Sequence, residues 1–388
     1  MDIFRNCTLG VASLFVCIFS ANVHGQWPAD QAKLAATVEQ LLQDNAVPGA
    51  VVLLRQGDQQ WLQAFGVADL KTGQSMQTDM AFRIGSNTKT MTGVVILQLV
   101  QAGKIKLDDK VSQYFPDVPQ GDKITIADLL RMRSGIPTYS ELKSFNRILD
   151  EHPEQSFTPE ALIQMGIEQK PMFPPGTEFF YSNTNYVMLG VLVQRLTGMT
   201  LEKAYEQRIF APLKMTRTLL PAREDNQMPP PFAHGYLFGT NQNSVLTPEQ
   251  QQQALAGKLL PSDVTNANPS WSWAAGGAIS TAKDLATYVE ALVGGQLFSP
   301  AMHKIQIESI QSNDPDDPDS AGYGLGIAKM GPMLGHDGSL PGYHTFMGHD
   351  PKTGLTMIVL TNLQATPSGG QTANIIARAL MTEMAPAK

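Results

Sequence analysis

The sequence predicts an α+β fold: an antiparallel sheet flanked by N- and C-terminal helices, with an all-α lobe inserted between its strands. Three observations lead to this prediction. Strand-forming segments lie towards both ends of the chain, and apolar residues at helical spacing fill the middle, from about 105 to 215. The chain has 388 residues, of which 43% are hydrophobic, so a large core is available. Joining the two ends into one sheet would leave a cleft between the sheet and the helical lobe.

The first 25 residues are predicted to be a secretory signal. Arg5 precedes an apolar run from 7 to 19, and Gly25 is a small residue suited to cleavage after it. This run is shorter than the roughly 20 residues that cross a bilayer. Cys7 and Cys17 both lie in the signal, so the mature chain has no cysteine nucleophile and no thiolate metal ligand. We therefore expect a periplasmic or secreted protein without stable membrane insertion after cleavage.

The N-terminal part of the mature chain is predicted to contain a helix, a hairpin and a second, buried helix. Apolar residues at helical spacing predict a helix over Gln31–Asp44. Ala50–Arg55 and Trp61–Val67 read as two strands joined by a tight turn. Residues 86–102 are apolar on most sides, which predicts a buried helix, and Gly103 is placed to end it.

The rest of the chain divides by composition. Residues 222–270, which contain a run of prolines and a run of glutamines, are predicted to be irregular. We predict a sheet domain from 26–85 and 271–388, and a mainly helical domain from 86–270. The further predicted elements are helices over Ile126–Met132, Pro159–Ile167, Tyr186–Leu196, Thr281–Val293 and Gln371–Glu383, and a hairpin of Tyr343–His349 with Leu355–Asn362.

Charge and composition exclude several classes of partner. Acidic residues outnumber basic ones 35 to 28, giving a net charge of −7, which argues against nucleic-acid binding. His344 and His349 are five positions apart and would point to opposite faces of a strand, so they do not predict a metal site. We predict no metal and no cofactor. The expected partner is a small-molecule or peptide substrate, and the oligomeric state stays open.

A serine and a lysine at the start of the buried helix are the first candidates for chemistry. Ser86 and Lys89 are three residues apart and therefore share one face of the helix. Burial and the positive end of the helix dipole would favour a neutral lysine, which can take the hydroxyl proton. The same spacing recurs at Ser140–Lys143 and Ser280–Lys283, where a turn and a helix cap are the simpler explanations.

Two further segments carry suitable groups. Tyr181 follows a Pro-Pro-Gly turn, and a phenol near an ammonium can have its pKa lowered and act as a general base. Asn183 can hydrogen-bond both the lysine and an incoming amide. Farther along, His336 and Gly338 lead into a strand at Ser339, where the glycine lets a substrate approach the backbone and a strand N–H can face a developing oxyanion.

These three motifs, in this order, resemble those of the serine β-lactamase and penicillin-binding protein superfamily. The Tyr-x-Asn and His-x-Gly forms are most similar to the branch of D-alanyl-D-alanine carboxypeptidases, class C β-lactamases, D-aminopeptidases and related esterases. The resemblance covers roughly residues 30 to 382. The superfamily often has Lys-Thr-Gly as its third motif, but Lys71–Gly73 and Lys352–Gly354 both read as turns here.

The resemblance implies an antiparallel-sheet fold of the β-lactamase type and an exported serine hydrolase. Ser86 would attack an amide or ester carbonyl and form an acyl-enzyme, while Lys89 and Tyr181 share the proton transfer. Asn183 would position the substrate amide. His336 would supply polar contact to the substrate.

The oxyanion would be held by the N–H groups of Ser86 and Ser339. One position departs from the pattern: Ala328 stands where carboxypeptidases of this type can carry a carboxylate-binding arginine. Carboxypeptidase, amidase, esterase and β-lactamase activities all stay open. The alternative is a penicillin-binding or sensor module that is acylated without turnover.

Overall fold

A long antiparallel sheet drawn from both ends of the chain is the centre of the fold, in a computed structural model that describes residues 30–314, 316–317 and 320–384. The predicted signal, residues 1–25, lies outside the described residues. The strands are β1 Gly49–Gln56, β2 Gln59–Asp69, β3 Gln74–Ser75, β4 Phe82–Arg83, β5 Tyr236–Leu237, β6 Ser262–Asp263, β7 Ile279–Ser280, β8 Gln311–Ser312, β9 Gly322–Tyr323, β10 Ala328–Met330, β11 Met333–Leu340, β12 Tyr343–His349 and β13 Leu355–Thr361.

Within the described residues, nine of these strands form one sheet in the order β3-β2-β1-β13-β12-β11-β10-β9-β8. Strand β1 pairs with β13, so that Ala50 lies opposite Thr361 across more than three hundred residues of sequence. The predicted joining of the two ends of the chain into one antiparallel sheet is therefore confirmed.

Helices lie on both faces of the sheet, and most of them come from the part of the chain between its N-terminal and C-terminal strands. They are α1 Gln31–Asp44, α2 Asn87–Gln101, α3 Ile126–Leu130, α4 Lys143–Glu151, α5 Pro159–Ile167, α6 Asn183–Thr197, α7 Leu201–Tyr205, α8 Ala211–Leu213, α9 Pro248–Leu255, α10 Trp273–Gly276, α11 Ala282–Val293, α12 Pro300–Glu308 and α13 Thr372–Met384, with 3-10 turns at Val111–Gln113, Tyr139–Glu141 and Pro269–Trp271 and a π-helical turn at Glu206–Phe210. In the ranges that the structure describes, no helix is both long and apolar enough to cross a bilayer.

Strand β1 is apolar from Ala50 to Leu54 because both faces of the sheet are covered there. Along β1, Val52 and Leu54 pack with α1 and α13, whereas Val51 and Leu53 pack towards α2 and α11. Alternate side chains of a strand point to opposite faces, so one continuous apolar run serves two cores. The sheet thereby holds α2 rigidly against one face.

Helix α2 is almost wholly buried, as its composition predicts, and its neighbours in space are α6, α10 and β11. Gly103 follows its end with φ +67, the left-handed conformation that glycine adopts most readily, which confirms the predicted end of this helix. The N-terminus of α2 points to the junction of the sheet with the helical lobe.

The segment from 222 to 270 is not wholly irregular, and this part of the sequence prediction is corrected. Helix α9 begins within it because Thr247 and Gln250 form a reciprocal capping box around Pro248 at the first helical turn. Short strands β5 and β6 pair within the same segment. The division into a sheet domain and a helical domain stays a prediction.

Candidate active site

Ser86 occupies the N-cap position of α2, at the end of a turn that packs against β11. Gly85 makes the turn possible: its φ is +54, and a Cβ there would lie 2.7 Å from the backbone nitrogen of Ser339. Ser86 is half-buried, so it is not sealed off from solvent. The backbone N–H of Ser86 has no hydrogen-bond partner among the described residues. It lies at the N-terminus of α2, which is the positive end of the helix dipole.

Lys89 lies one turn further along α2 with its side chain fully buried. Its Nζ is 2.9 Å from the Oγ of Ser86, 2.7 Å from the Oδ1 of Asn183 and 2.7 Å from the carbonyl oxygen of Ala275 in α10. A neutral amine has two hydrogens and one lone pair. If the two hydrogens go to the amide and carbonyl oxygens, which can only accept, the lone pair faces the Ser86 hydroxyl.

Burial lowers the pKa of Lys89 well below its usual value, while the negative charge of Asp337 acts in the opposite direction. No carboxylate forms an ion pair with the Lys89 amine within the described residues. The site therefore favours the neutral amine, which is the form that can accept a proton.

Tyr181 lies over the same amine, with the Lys89 Nζ 4.7 Å from the centre of its ring. Burial raises the pKa of the Tyr181 hydroxyl well above its usual value, and a hydrogen bond with the Ser86 side chain acts in the opposite direction. A raised pKa keeps the phenol protonated at neutral pH. This is the reverse of the lowered phenol pKa that the sequence analysis invoked for a tyrosine base.

Asn183 begins α6 and bridges the lysine to a residue that the sequence analysis missed. Its Oδ1 accepts from Lys89, and its Nδ2 donates to the Oγ of Ser140 over 2.9 Å. Ser140 also shares a hydrogen bond of 2.9 Å with the hydroxyl of Thr138. No sequence pattern predicts this contact, since a serine in a polar loop normally serves a turn.

The edge of β11 forms the other wall of the site. Strand β10 pairs with β11 only as far as Gly335, so the next five residues of β11 have no strand beside them on that side in the described structure. The turn before Ser86 packs against this open edge, and only a glycine at 338 allows it to come so close. A Cβ on Gly338 would lie 2.1 Å from the carbonyl oxygen of Ile84. The Ser339 N–H is thus held close to Ser86, as an oxyanion hole requires.

His336 lies behind the site and is 2% exposed. Its Nε2 is 3.1 Å from the hydroxyl of Tyr323, and its Nδ1 is 2.6 Å from the carbonyl oxygen of Asp337. Although burial acts to raise it, hydrogen bonding and charge from His336 hold the pKa of the Asp337 carboxyl below its usual value. Both nitrogens of the ring are engaged, and the ring itself packs 6.1 Å from that of Tyr181. Direct polar contact with a substrate would require one of these partners to be displaced.

A cleft of about 580 Å³ opens beside these residues. Its walls include Tyr181, His336 and Asp337, together with the aromatic residues Phe179, Tyr323 and Phe346. Ala328 and Lys329 also line it. The cleft reaches the candidate site at Tyr181, and its volume is within the range of small-molecule binding pockets.

An antiparallel sheet with an inserted helical lobe, and a serine, lysine and tyrosine brought together where the two meet, define a class of serine hydrolases with the β-lactamase type of fold. A sequence profile described as Beta-lactamase matches residues 34–381. The chain belongs to the beta-lactamase family, within the serine β-lactamase and penicillin-binding protein superfamily that the motifs resemble.

Among curated relatives, Protein flp of Staphylococcus aureus (strain MRSA252) is 26% identical over 346 residues, which are 86% of this chain and 63% of that protein. Penicillin-binding protein 4* of Bacillus subtilis (strain 168) is 26% identical over 344 residues, 85% of this chain and 71% of that protein. The chain thus spans less than two thirds of the first of these relatives.

Two solved structures align with this chain over nearly its whole length. A D-stereospecific amidohydrolase from Streptomyces sp. has 31% identity and a TM-score of 0.76, covering 90% of this chain and 98% of that one. A D-amino acid amidase from Ochrobactrum anthropi SV3, complexed with D-phenylalanine, has 25% identity and a TM-score of 0.76, covering 91% of this chain and 99% of that one.

Proposed function

We propose that the protein is an exported serine hydrolase that cleaves an amide or ester carbonyl through an acyl-enzyme on Ser86. The observation that carries the proposal is the buried Lys89 amine, 2.9 Å from the Ser86 hydroxyl and without a carboxylate partner in the described structure. A lysine so placed is costly unless its neutral form is used.

The first half-reaction transfers the acyl group to the enzyme. As the Ser86 oxygen bonds to the substrate carbonyl carbon, its proton passes to Lys89, directly or through the hydroxyl of Tyr181. The carbonyl oxygen becomes an oxyanion, held by the N–H groups of Ser86 and Ser339. Collapse of this intermediate breaks the bond to the leaving amine or alcohol, which takes the proton.

Water completes the reaction. It adds to the ester carbonyl while its proton passes to the same Lys89–Tyr181 pair, and the proton then returns to the Ser86 oxygen as the acid product leaves. Asn183 keeps the amine in place and offers its second amide hydrogen to the substrate. His336, engaged on both sides, supports the ring of Tyr181.

The relatives favour amides of D-amino acids as the first substrates to test. Both amidohydrolase structures match this chain over nine tenths of its length, and the cleft has aromatic walls that suit an apolar side chain. Esters and β-lactams share the same carbonyl chemistry and belong in the same screen.

The test uses purified mature protein with D-phenylalanine amide, its L-enantiomer, an activated ester and a chromogenic cephalosporin. We expect turnover of at least one, and loss of at least a thousandfold in Ser86→Ala, since removal of a nucleophile leaves only binding effects. Ser280→Ala is the matched control, because Ser280 also precedes a lysine by three residues. Equal activity in Ser86→Ala and the wild type would refute the proposal.

A sensor or penicillin-binding role is the second candidate, favoured by the similarity to penicillin-binding protein 4*. In that case a fluorescent penicillin would label one equivalent of Ser86 and stay bound, and no substrate would turn over. Release of the label within minutes, with hydrolysed product, would exclude this role. For export, N-terminal sequencing of the secreted protein is expected to begin at Gln26.

A further inference from the structure

We propose that the hydroxyls of Thr138 and Ser140, the hydroxyl pair, hold the Asn183 amide in the one orientation that aims the Lys89 lone pair at Ser86. Both are therefore positioning residues. The inference rests on the proposed function, since it assigns them a role in the proton transfer of that reaction.

The orientation of the Asn183 amide follows from donors and acceptors. The Lys89 amine uses its hydrogens to donate, so the amide atom 2.7 Å from it must be the oxygen. The Nδ2 group then points away from the lysine and donates to the Ser140 Oγ over 2.9 Å. This second hydrogen bond adds to the contact with the lysine and further favours the observed orientation over one rotated by half a turn.

The hydroxyl pair is itself held on a rigid support. Thr138 accepts from the backbone N–H of Asn183 over 3.1 Å and shares a hydrogen bond of 2.9 Å with Ser140. Asn146 of α4 donates to the Ser140 carbonyl oxygen over 3.0 Å. Between the pair, Tyr139 is fully buried. The hydroxyls consequently keep a fixed position relative to the start of α6.

Without the Ser140 hydroxyl, the Asn183 Nδ2 loses the acceptor that draws it away from the lysine, and only the Lys89 amine still favours the observed orientation. A rotated amide would direct Nδ2 at the neutral Lys89 amine, whose lone pair can accept that hydrogen, and would leave the Ala275 carbonyl oxygen to accept from the amine. The lone pair could then turn away from Ser86. Loss of the amide oxygen also removes a partner that favours the ammonium form, so the pKa of Lys89 would fall further.

The experiment compares Ser140→Ala with the wild type on the best substrate from the screen, as a profile of kcat and kcat/KM against pH. We expect kcat to fall about tenfold, with KM changed less than threefold, and the acidic limb of the profile to move to lower pH. Ser140→Thr keeps a hydroxyl and is expected to restore at least a third of the activity.

Ser134→Ala is the matched control, because Ser134 also bonds an α6 asparagine, Asn185, over 2.8 Å, but on the interior side. Thermal unfolding followed by circular dichroism gives the folded fraction of each variant. For Ser134→Ala we expect an unmoved pH profile per folded molecule.

An unmoved profile in Ser140→Ala would overturn the inference, and so would an effect confined to KM, which would indicate direct substrate binding. Equal shifts in Ser134→Ala and Ser140→Ala would overturn it as well, since they would indicate a general structural effect. These outcomes are distinct from failure of the proposed function, which appears as no turnover by the wild type or as full activity in Ser86→Ala.

Discussion

At the scale of single residues, the burial of the Lys89 amine decides whether it can accept the proton of the Ser86 hydroxyl. Lys89 has three oxygen atoms around it and no carboxylate ion pair in the described structure. Its charged form would satisfy all three oxygens but would keep an unpaired charge away from water. The neutral form satisfies two and can accept a proton from the third, so burial favours the form that the proposed reaction requires.

Lys89→Arg tests this argument. A guanidinium stays charged at all accessible pH values and cannot accept a proton, so we expect kcat/KM to fall by about a thousandfold. In the wild type, kcat/KM should fall as the pH drops through the lowered pKa of Lys89, and this limb should lie far below the range of an ordinary lysine. The measurement is a pH–rate profile.

Lys283→Arg, on the exposed side of α11, is the control and should leave the profile intact. An acidic limb that persists unchanged in an active Lys89→Arg variant would contradict the assignment of Lys89 as the proton acceptor.

Gly338 gives a second test at this scale. A methyl group there would lie 2.1 Å from the Ile84 carbonyl oxygen, so Gly338→Ala must push β11 away from Ser86. Displacing one oxyanion donor should lower kcat by roughly a hundredfold. Gly348→Ala on β12 also crowds its neighbours, Met333 and Phe346, but away from the site, so it should reduce stability and leave kcat per folded molecule unchanged.

The reacting groups could be predicted from the sequence because their three motifs rarely occur together in one chain and in this order. Ser86, Lys89 and Asn183 lie together as the motifs imply. Ser140 was set aside because its partner is 43 positions away and its own neighbours are polar. The burial of His336 was likewise hidden, since it depends on Tyr323 packing against its ring.

At the scale of elements, prediction succeeded where apolar patterning is strong. The buried α2 and the pairing of β1 with β13 follow from long apolar runs. Strands of two residues such as β4 and β7 have no pattern to detect, because each is specified by a partner distant in sequence. Helix α9 was missed although its capping box is local, since its glutamine run has few apolar positions.

Arg83 of β4 links the segment from 222 to 270 to the strand that leads to Ser86. Its Nη2 donates to the carbonyl oxygens of Asn226 and Thr265, and the side chain is 3% exposed. Arg83→Met removes these bonds but also removes a costly buried charge, so the global free energy of unfolding should change by no more than about 2 kcal/mol.

Local opening should be the larger effect of Arg83→Met. We expect the segment between these two carbonyls to be cleaved several times faster in limited proteolysis, with fragments identified by mass spectrometry. Arg223→Met removes an exposed ion pair with Glu224 and should leave the cleavage rate unchanged. Equal cleavage rates in both variants would show that Arg83 does not anchor this segment.

At the scale of the whole molecule, the site exists because distant parts of the chain meet. Ser86 comes from the first third of the sequence, Tyr181 from the middle and Ser339 from the last strands. The sheet closes only when β13 joins β1, and β11 is then fixed against α2. Sequence motifs identify the reacting side chains. The distances between these side chains depend on the packing of both hydrophobic cores, one on each face of the sheet.

The stability of this assembly should decrease in acid, and one buried histidine makes a defined contribution. His344 on β12 is 1% exposed, and its Nδ1 has no partner in the described structure. Burial lowers its pKa to about 4, although the charge of Asp337 opposes the shift. The unfolded chain would bind a proton near the ordinary pKa of about 6.5, whereas the folded chain resists it until about pH 4.

Stability is therefore fully present above pH 6.5 and is lost as the pH falls towards 4, by up to about 3 kcal/mol for this group. His344→Leu removes the titration without leaving a buried polar atom. Urea unfolding at intervals between pH 4 and 7.5 should show a shallower decline for this variant than for the wild type. His152→Leu, which replaces an exposed histidine, should follow the wild type. If the plots of unfolding free energy against pH were parallel for His344→Leu and the wild type, the buried ring would not have a lowered pKa. That result would contradict the effect expected from its burial on β12 without a partner for Nδ1 among the described residues.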